Sequence, residues 1–386
     1  MVDDIFFADP LGGLSDATWD AMAGDRFYSS SLWLRLCELA GGSVSGAVHI
    51  GLPSGGQAGM PIAMVEDEPN PHLRWHDLLY SRDLPAPRPG GLLVGQRRGY
   101  LGHVLSTPDA DSDEAATAVL EAVRSVRAPA GNPRHSGRPD LNRVAMYLTT
   151  PDVLALRAAG VSAVPVVLKT DAWIGIPPGG WDAWLDALGS HRARRVRNEV
   201  RRFERAGYHV EQRSLRDCAS DVGRLLACTE AKYGRNVDPA QLTRSFAAQG
   251  ELAGDDAQVL LCRPLDCPAV GFCLFYRRGD TVYLRAIGFD YEQLRSAAEY
   301  FNLVYYIPAR WPGVRWLHAG TETPVGKSLR GATLAPLWLL DLTEHSIHID
   351  AGASIREHNL KYFNSLASSS SAVSRALDQS QWDHFF

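Results

Sequence analysis

The sequence of 386 residues lacks the features that assign many proteins to a class at once. No stretch approaches the run of roughly 18 apolar residues that a membrane-spanning helix needs. The first residues, Met1-Val2-Asp3-Asp4, are acidic where a secretory signal peptide would be basic. We therefore expect a cytoplasmic protein without a membrane span. The formal net charge of −5 also gives no overall reason to expect a nucleic-acid partner.

Cysteine and lysine are both scarce. The six cysteines do not form the paired C-x-x-C spacings of zinc sites, and several lie among apolar residues, so we expect reduced, buried thiols and no metal site. Lysine occurs only at positions 169, 232, 327 and 361, so arginine supplies nearly all of the basic charge. Together with abundant alanine and glycine, this usage is typical of a GC-rich bacterial genome.

Common hydrolase signatures are also missing, including the Gly-x-Ser-x-Gly elbow and the His-Glu-x-x-His zinc motif. The segment from Gly320 to Ser328 ends in Gly-Lys-Ser and resembles a nucleotide-binding P-loop. However, five residues separate Gly320 from Gly326 where the motif needs four, and no long helix is predicted to follow. Both mismatches argue against nucleoside triphosphate hydrolysis. Lys327 and Arg330 remain candidates to bind a phosphate or carboxylate group.

The most regular pattern in the chain lies between residues 269 and 331. Alternating apolar residues on both sides of the turn Arg278-Gly279-Asp280 predict a β-hairpin. Helical spacing of apolar residues predicts a helix over 294–305, directly after the hairpin. A short buried strand over 314–319 and a polar loop over 320–331 complete the pattern.

Both halves of the chain contain the same ingredients, namely helices, a hairpin, a further helix and a returning strand. This predicts an α/β (α+β) fold of two tandem domains, each a mixed, mainly antiparallel sheet flanked by helices. We place the first domain at residues 1–163 and the second, which carries the site, at 164–345. Residues 346–386 are predicted as a docked helix with a mobile tail, because they are polar and rich in serine. Residues 129–139, rich in Pro, Gly and Arg, are predicted as an exposed loop.

An arginine-dense segment begins at His191 and ends at Arg205. It holds seven arginines and two glutamates around a narrow apolar stripe, a local excess of five positive charges (seven minus two). One interpretation is a solvated helix face with internal pairs, Arg195 with Glu199 and Arg201 with Glu204. The other is a surface for phosphate groups, which arginine binds through its planar guanidinium. The candidate phosphate-binding residues are Arg192, Arg194, Arg195, Arg197, Arg201 and Arg202.

The segment Gln293-Leu294-Arg295-Ser296-Ala297-Ala298 follows the hairpin and opens the predicted helix. It is similar to the signature Gln/Arg-x-x-Gly-x-Gly/Ala of the GNAT acyltransferase superfamily, whose backbone N–H groups bind pyrophosphate at a helix N-terminus. Gln293 and Ala298 match the signature, and Ser296 replaces its glycine. Further strings resemble the tandem-domain, FemAB-like branch of peptidoglycan-biosynthesis proteins and aminoacyl-tRNA-dependent transferases. These strings are residues 27–34, 285–291, 298–302, 327–331 and the arginine-dense segment.

The resemblance implies an acyltransferase with two GNAT-like domains, of which the first is degenerate. Ser296 adds a side chain where glycine allows pyrophosphate to approach the backbone closely. Fem-like relatives use an aminoacyl ester on tRNA, so we favour charged tRNA over acyl-CoA as donor and expect no permanently bound cofactor. The arginine-dense segment would then be the tRNA-binding surface. The predicted donor-binding residues are Gln293, Ser296, Ala298, Lys327 and Arg330.

The implied reaction is amide formation, in which the amine of a small peptide-like metabolite or cell-wall precursor attacks the acyl carbonyl directly. Such a reaction needs positioning, a group that takes the proton of the amine, and donors for the developing oxyanion. Glu322, Asp290 and His318 are the candidate bases; their structural alternatives are pairing with Arg330, helix capping and core packing. Two other hypotheses stay open: an acyl-CoA-dependent N-acyltransferase, and a non-catalytic GNAT-fold module that binds polysaccharide or RNA.

Overall fold

A computed structural model of the chain describes residues 7, 9–39, 41, 44–127 and 141–386. The acidic start at residues 1–4 and the loop predicted at 129–139 lie outside these residues. The strands are β1 (Val44–Gly51), β2 (Gln57–Val65), β3 (Gly91–Val94), β4 (Leu105–Ser106), β5 (Arg143–Leu148), β6 (Val166–Gly175), β7 (Tyr208–Ser214), β8 (Ala257–Pro264), β9 (Gly271–Arg278), β10 (Thr281–Phe289), β11 (Trp316–Gly320) and β12 (Ala332–Asp341).

The α-helices range from a single short turn to 18 residues. They are α1 (Asp16–Ala23), α2 (Ser31–Glu38), α3 (Trp75–Tyr80), α4 (Ser112–Ser125), α5 (Thr150–Ala158), α6 (Gly180–Ala187), α7 (Ser190–Arg205), α8 (Leu215–Lys232), α9 (Pro239–Ala253), α10 (Glu299–Phe301), α11 (Pro324–Ser328), α12 (Ile347–Asp350), α13 (Gly352–Ser369) and α14 (Ser371–Ala376). α10 continues directly into a π-helix over Asn302–Tyr306.

The chain forms two compact units: unit 1 is Met1–Asp171 with Leu334–Phe386, and unit 2 is Ala172–Thr333. In unit 1 the strand order is β1-β2-β3-β5-β12, and β4 also pairs with β2. β3 and β5 are parallel, whereas the other neighbours in this unit are antiparallel. Asp111 caps α4, which buries Val119 and Val123 in the same core as Trp338.

Unit 2 has the strand order β6-β11-β10-β9-β8-β7, to which β6 contributes its last residues. β10 and β11 are parallel and the remaining neighbours antiparallel. Helix α8 packs closely on β10 at Gly288, where an added Cβ would lie 2.7 Å from the carbonyl oxygen of Leu225. One residue on, the Phe289 N–H donates to the hydroxyl of Thr229 on α8, at 2.8 Å.

The predicted fold class is confirmed, because each unit holds a mixed, mainly antiparallel sheet with one parallel pair and flanking helices. The predicted domain bounds after residues 163 and 345 stay predictions. The tail that we predicted to be mobile packs instead in the core of unit 1. Its aromatic side chains explain the difference, since Trp382 and Phe385 are fully buried there against Trp338.

The hairpin predicted around the turn at 278–280 is present as β9 and β10. The helix predicted to start at Leu294 is wrong in its first turn, because helical structure begins only at Glu299. Residues 291–298 form an irregular turn in which Ser296 and Ala298 adopt positive φ. Periodicity was misleading here because a left-handed residue breaks the helix whatever the spacing of the apolar side chains.

Candidate functional site

The candidate site lies where β10 and β11 separate. The two strands pair only from Thr281 to Tyr283, opposite Trp316 to His318, although β10 continues to Phe289. A bulge at Arg285 also shifts β10 against β9. Because parallel strands end at the same edge of a sheet, the segments that follow β10 and β11 lie at one edge. Strand edges that part in this way expose backbone donors on which a carbonyl substrate can bind.

The segment after β10 carries the signature residues. Ser296 has φ of 55° and Ala298 has φ of 63°, a conformation that usually requires glycine. These are the two positions at which the GNAT signature has Gly and Gly or Ala. Left-handed residues at alternate positions turn neighbouring N–H groups toward one point, which creates a concavity that binds anions.

The carboxylate of Glu299 fills this concavity. It accepts the N–H of Arg295 on Oε1 and the N–H of Ala297 on Oε2, both at 2.9 Å. The hydroxyl of Tyr208 donates to Oε1 at 2.8 Å. Burial and the neighbouring carboxylate raise the pKa of Tyr208 above its ordinary value, so the hydroxyl stays a donor. Glu299 is only 4% exposed and is therefore an internal anion of the fold.

Gln293 and Asp290 begin the same segment and bind each other. The Gln293 amide donates to Asp290 Oδ2 at 2.9 Å, and the guanidinium of Arg224 lies 4.0 Å from the same oxygen. Gln293 is exposed, whereas the side chain of Asp290 is 18% exposed. Asp290 is thus a partly accessible carboxylate at the end of β10, and its predicted role as base stays a prediction.

The loop after β11 carries Glu322, Lys327 and Arg330. Glu322 is exposed, while Lys327 is buried and donates from Nζ to the Gly320 carbonyl at 2.8 Å. The guanidinium of Arg330 lies 3.5 Å from the ring centroid of Phe301, so the loop after β11 contacts helix α10. The predicted donor contact of Lys327 and the predicted base role of Glu322 stay predictions.

Arg330 is held by partners inside unit 2. It donates to Glu199 Oε2 at 3.1 Å from Nη2, to the Tyr306 hydroxyl at 3.1 Å from Nε, and to the Gly326 carbonyl at 2.8 Å from Nη1. Tyr306 also donates to Glu199, and burial raises the pKa of this phenol. All three guanidinium nitrogens therefore have partners, which gives Arg330 a structural role. Its predicted donor contact stays a prediction.

His318 is the most buried of the three candidate bases, with no exposed surface. Its ring centroid lies 4.7 Å from that of Trp173 on β6 and 5.4 Å from that of Tyr283 on β10. These three residues form a row across the sheet, because His318 pairs with both neighbours in the strand register. The ring packing matches the structural alternative considered for His318, and its base role stays a prediction.

One face of α7 presents an open basic surface. The helix buries Val196, Val200 and Phe203, which turns most of its arginines to solvent. Of the two predicted internal pairs, Arg195–Glu199 is present at 3.1 Å, and Arg201–Glu204 is not formed. A groove of about 510 Å³ runs along the helix, and we call its lining the α7 face. The α7 face consists of His191, Arg194, Arg195, Asn198, Glu199 and Arg202.

The arginines predicted to bind phosphate differ in exposure. Arg194, Arg197, Arg201 and Arg202 are exposed, and none of them forms an ion pair with any residue that the structure describes. Arg192 is half-buried. Four guanidinium groups thus remain available to external anions on this helix.

Sequence reasoning missed Glu299, and it paired Glu199 only with Arg195 and so missed the burial of Glu199 against Arg330. No spacing rule pointed to Glu299. Its carboxylate binds the N–H groups of a turn with left-handed backbone, a conformation that neither serine nor alanine favours. Glu199 did carry a signal: it falls three residues after Val196 and one before Val200, inside the apolar stripe. A carboxylate on the buried side of a helix requires a cationic partner, and Arg330 is that partner.

The described ranges contain neither a metal-binding cluster nor a membrane-spanning helix. In them, no group of three His, Cys, Asp or Glu side chains is arranged to hold a metal ion. No helix there combines the length and the apolar character that crossing a membrane requires. All six cysteines are free thiols, and four of them are buried.

Known protein structures are similar to this chain in their fold. No protein-family model matches the sequence, and no curated protein matches it either. Among solved structures, FemX superposes with a TM-score of 0.57 at 11% identity, covering 86% of this chain and 96% of FemX. The chain has the FemX fold.

Two further structures agree with this result. A protein of unknown function from Bacteroides thetaiotaomicron gives a TM-score of 0.53 at 12% identity, covering 88% of this chain and 99% of that one. The C-terminal domain of a protein assigned as a lysylphosphatidylglycerol synthetase from Agrobacterium fabrum gives 0.51 at 12% identity, covering 85% and 93%. The predicted resemblance to the FemAB-like branch of the GNAT superfamily is therefore confirmed for the fold.

Proposed function

We propose that this protein transfers an aminoacyl group from a charged tRNA to the amine of a small peptide-like metabolite or cell-wall precursor. The observation that carries the proposal is the row of exposed, unpaired arginines on α7, in the same unit as the opening between β10 and β11. The fold of FemX supports an acyltransferase framework, and the basic helix supports RNA as the carrier of the acyl group.

The α7 face suits a nucleic-acid backbone in both charge and length. From His191 to Arg202 the helix rises by about 16 Å, enough to follow several phosphates of one strand. Guanidinium groups bind phosphate oxygens in a bidentate manner, which orients the RNA as well as holding it. Acyl-CoA presents far fewer charges, so it would leave most of this surface unused.

The reaction that fits the opening is direct aminolysis of the ester. The acceptor nitrogen attacks the acyl carbonyl carbon, the new C–N bond forms, and the C–O bond to the terminal ribose breaks. The nitrogen gives its proton to the base, and the leaving ribose oxygen takes up a proton. Backbone N–H groups at the parted strand edges would stabilise the oxyanion, and the site would contribute mainly by holding both reactants in position.

The base is Glu322, Asp290 or His318, and single substitutions separate them. Glu322→Gln and Asp290→Asn each remove one proton acceptor at nearly constant volume, whereas His318→Asn also removes part of the ring volume from the core. The variant of the true base should lower kcat by about 100-fold or more with little change in KM, and should lose the acidic limb of the pH–rate profile. Circular dichroism of His318→Asn distinguishes lost catalysis from lost packing.

A donor screen tests the function itself. Purified protein is incubated with amine acceptors and either radiolabelled aminoacyl-tRNA or radiolabelled acetyl-CoA, and amide product is measured. We expect product only with aminoacyl-tRNA, and its abolition when the tRNA is digested with ribonuclease beforehand. Turnover that survives ribonuclease, or that occurs with acetyl-CoA alone, would refute the proposal. Binding of tRNA without any transfer would favour the non-catalytic module.

A further inference from the structure

We propose that Glu299 is a specificity residue that makes the turn at 293–298 reject donors that carry a diphosphate, such as acyl-CoA. Its carboxylate takes the place in which a diphosphate would bind the backbone N–H groups. This inference deepens the proposed function, since it concerns which donor the same site excludes.

The N–H groups that would bind a diphosphate are already used. The N–H groups of Arg295 and Ala297 point at the two oxygens of one carboxylate, each at 2.9 Å. A diphosphate oxygen needs these same donors. It would therefore have to displace Glu299 or bind without the contacts that make such a turn an anion site.

Glu299 is firmly anchored in this position. The Tyr208 hydroxyl donates to Oε1 at 2.8 Å and also accepts the Arg295 N–H at 2.9 Å. The carboxylate is 4% exposed, so a ligand cannot be bound beside it without placing two negative charges together in a poorly hydrated place. Displacement would cost three hydrogen bonds to a charged group.

Arg295, the cation on this turn, points away from the concavity. The guanidinium of Arg295 donates to the Ala206 carbonyl and lies 5.4 Å from the ring centroid of Tyr208. It therefore packs against β7 and the end of α7, and it forms no ion pair with Glu299. The turn keeps the backbone shape of a phosphate site while its charge opposes a phosphate.

The test measures binding, which requires no turnover. Isothermal titration calorimetry measures the binding of inorganic pyrophosphate and of acetyl-CoA to the wild type, to Glu299→Ala and to Glu299→Gln. Glu292→Gln is the matched control, because it removes the same charge from an exposed position in the same turn. We expect pyrophosphate to bind Glu299→Ala at least about tenfold more tightly than wild type, the effect of one charge-assisted hydrogen bond. Glu292→Gln should behave as wild type.

Two results would overturn the inference. One is wild-type protein that binds acetyl-CoA as tightly as Glu299→Ala does. The other is a folded Glu299→Ala protein that binds pyrophosphate no better than wild type. If circular dichroism shows Glu299→Ala to be unfolded, Glu299→Gln decides, because it keeps the side-chain volume while it removes the charge and one of the two acceptor oxygens. A failure of aminoacyl transfer would refute the proposed function and would not affect these binding results.

Discussion

Glu199 on α7 and Arg330 after α11 form a buried ion pair, with Oε2 and Nη2 3.1 Å apart and side chains 9% and 4% exposed. Tyr306 of the π-helix donates to Glu199 and accepts from Arg330. The pair thereby fixes the helix that carries the α7 face against the loop that follows β11. A π-helix within this arrangement fits a functional site, since such segments concentrate there.

Breaking this pair should destabilise the protein strongly. We expect Glu199→Ala or Arg330→Ala to lower the free energy of unfolding by about 3 to 5 kcal/mol. The first change leaves the buried Arg330 guanidinium without a carboxylate, and the second leaves the buried Glu199 carboxylate with only the exposed Arg195 as a cation. The double variant Glu199→Leu with Arg330→Met should lose less than the sum of the single changes. Urea denaturation followed by circular dichroism measures both.

Arg195→Ala is the control: its guanidinium is 59% exposed, so its loss should cost at most about 1 kcal/mol. Equal losses for Arg195→Ala and Arg330→Ala would contradict this account.

The elements that sequence could predict are those in which local pattern and tertiary packing agree. Alternation in β9 and β10 and the turn between them predict the hairpin, and the stripe of Val196, Val200 and Phe203 predicts the buried side of α7. Both signals depend on burial of one face, which a period of 2.0 or 3.6 residues records directly.

The site itself was less predictable, for a different physical reason. Its geometry depends on contacts between residues far apart in the chain, such as Glu299 with Tyr208 and Glu199 with Arg330. Such contacts leave no periodic trace in the sequence. The positive φ at Ser296 is likewise imposed by surrounding structure, since serine does not favour it. The resemblance to a glycine-containing signature was the one indication that this turn is special.

The α7 face should bind tRNA through individual phosphate contacts. We expect Arg194→Ala and Arg202→Ala each to weaken tRNA binding and to reduce the slope of log Kd against log salt concentration by about 0.7 to 0.9 per lost contact. Fluorescence anisotropy of labelled tRNA at several salt concentrations measures the slope. Arg244→Ala on α9, where the guanidinium is 72% exposed and 3.8 Å from Asp238, is the control and should change neither quantity. Unchanged slopes in both α7 variants would exclude this surface as the RNA site.

Restoring the signature glycine should not restore acyl-CoA binding. Ser296→Gly relieves a left-handed serine but also adds freedom to the unfolded chain, so we expect the free energy of unfolding to rise by no more than about 1 kcal/mol. Since Glu299 still fills the concavity, calorimetry with acetyl-CoA should show no gain in affinity. Ser245→Gly is the control; it lies inside α9, so the same change should destabilise by about 0.5 to 1 kcal/mol. Acetyl-CoA binding by Ser296→Gly alone would show that the side chain at position 296, and not Glu299, is the barrier.

The stability of the fold should fall in mild acid through His348. This imidazole is fully buried in unit 1 and its Nε2 lies 2.9 Å from the Pro85 carbonyl; burial lowers its pKa, although Pro85 and Asp341 act in the opposite direction. At pH values below the ordinary histidine pKa of 6.5, the unfolded chain binds a proton that the folded protein does not. Stability is therefore lost as the pH falls toward the lowered pKa of His348. This group changes the free energy of unfolding by at most about 1.4 kcal/mol per pH unit.

We expect His348→Gln to show a smaller loss of unfolding free energy than wild type between about pH 7 and pH 5, whatever its absolute stability. His209→Gln, at an exposed position in β7, is the control and should keep the pH dependence of the wild type. Parallel pH dependence in wild type and His348→Gln would mean that the buried imidazole gains its proton equally in both states, and would contradict the lowered pKa.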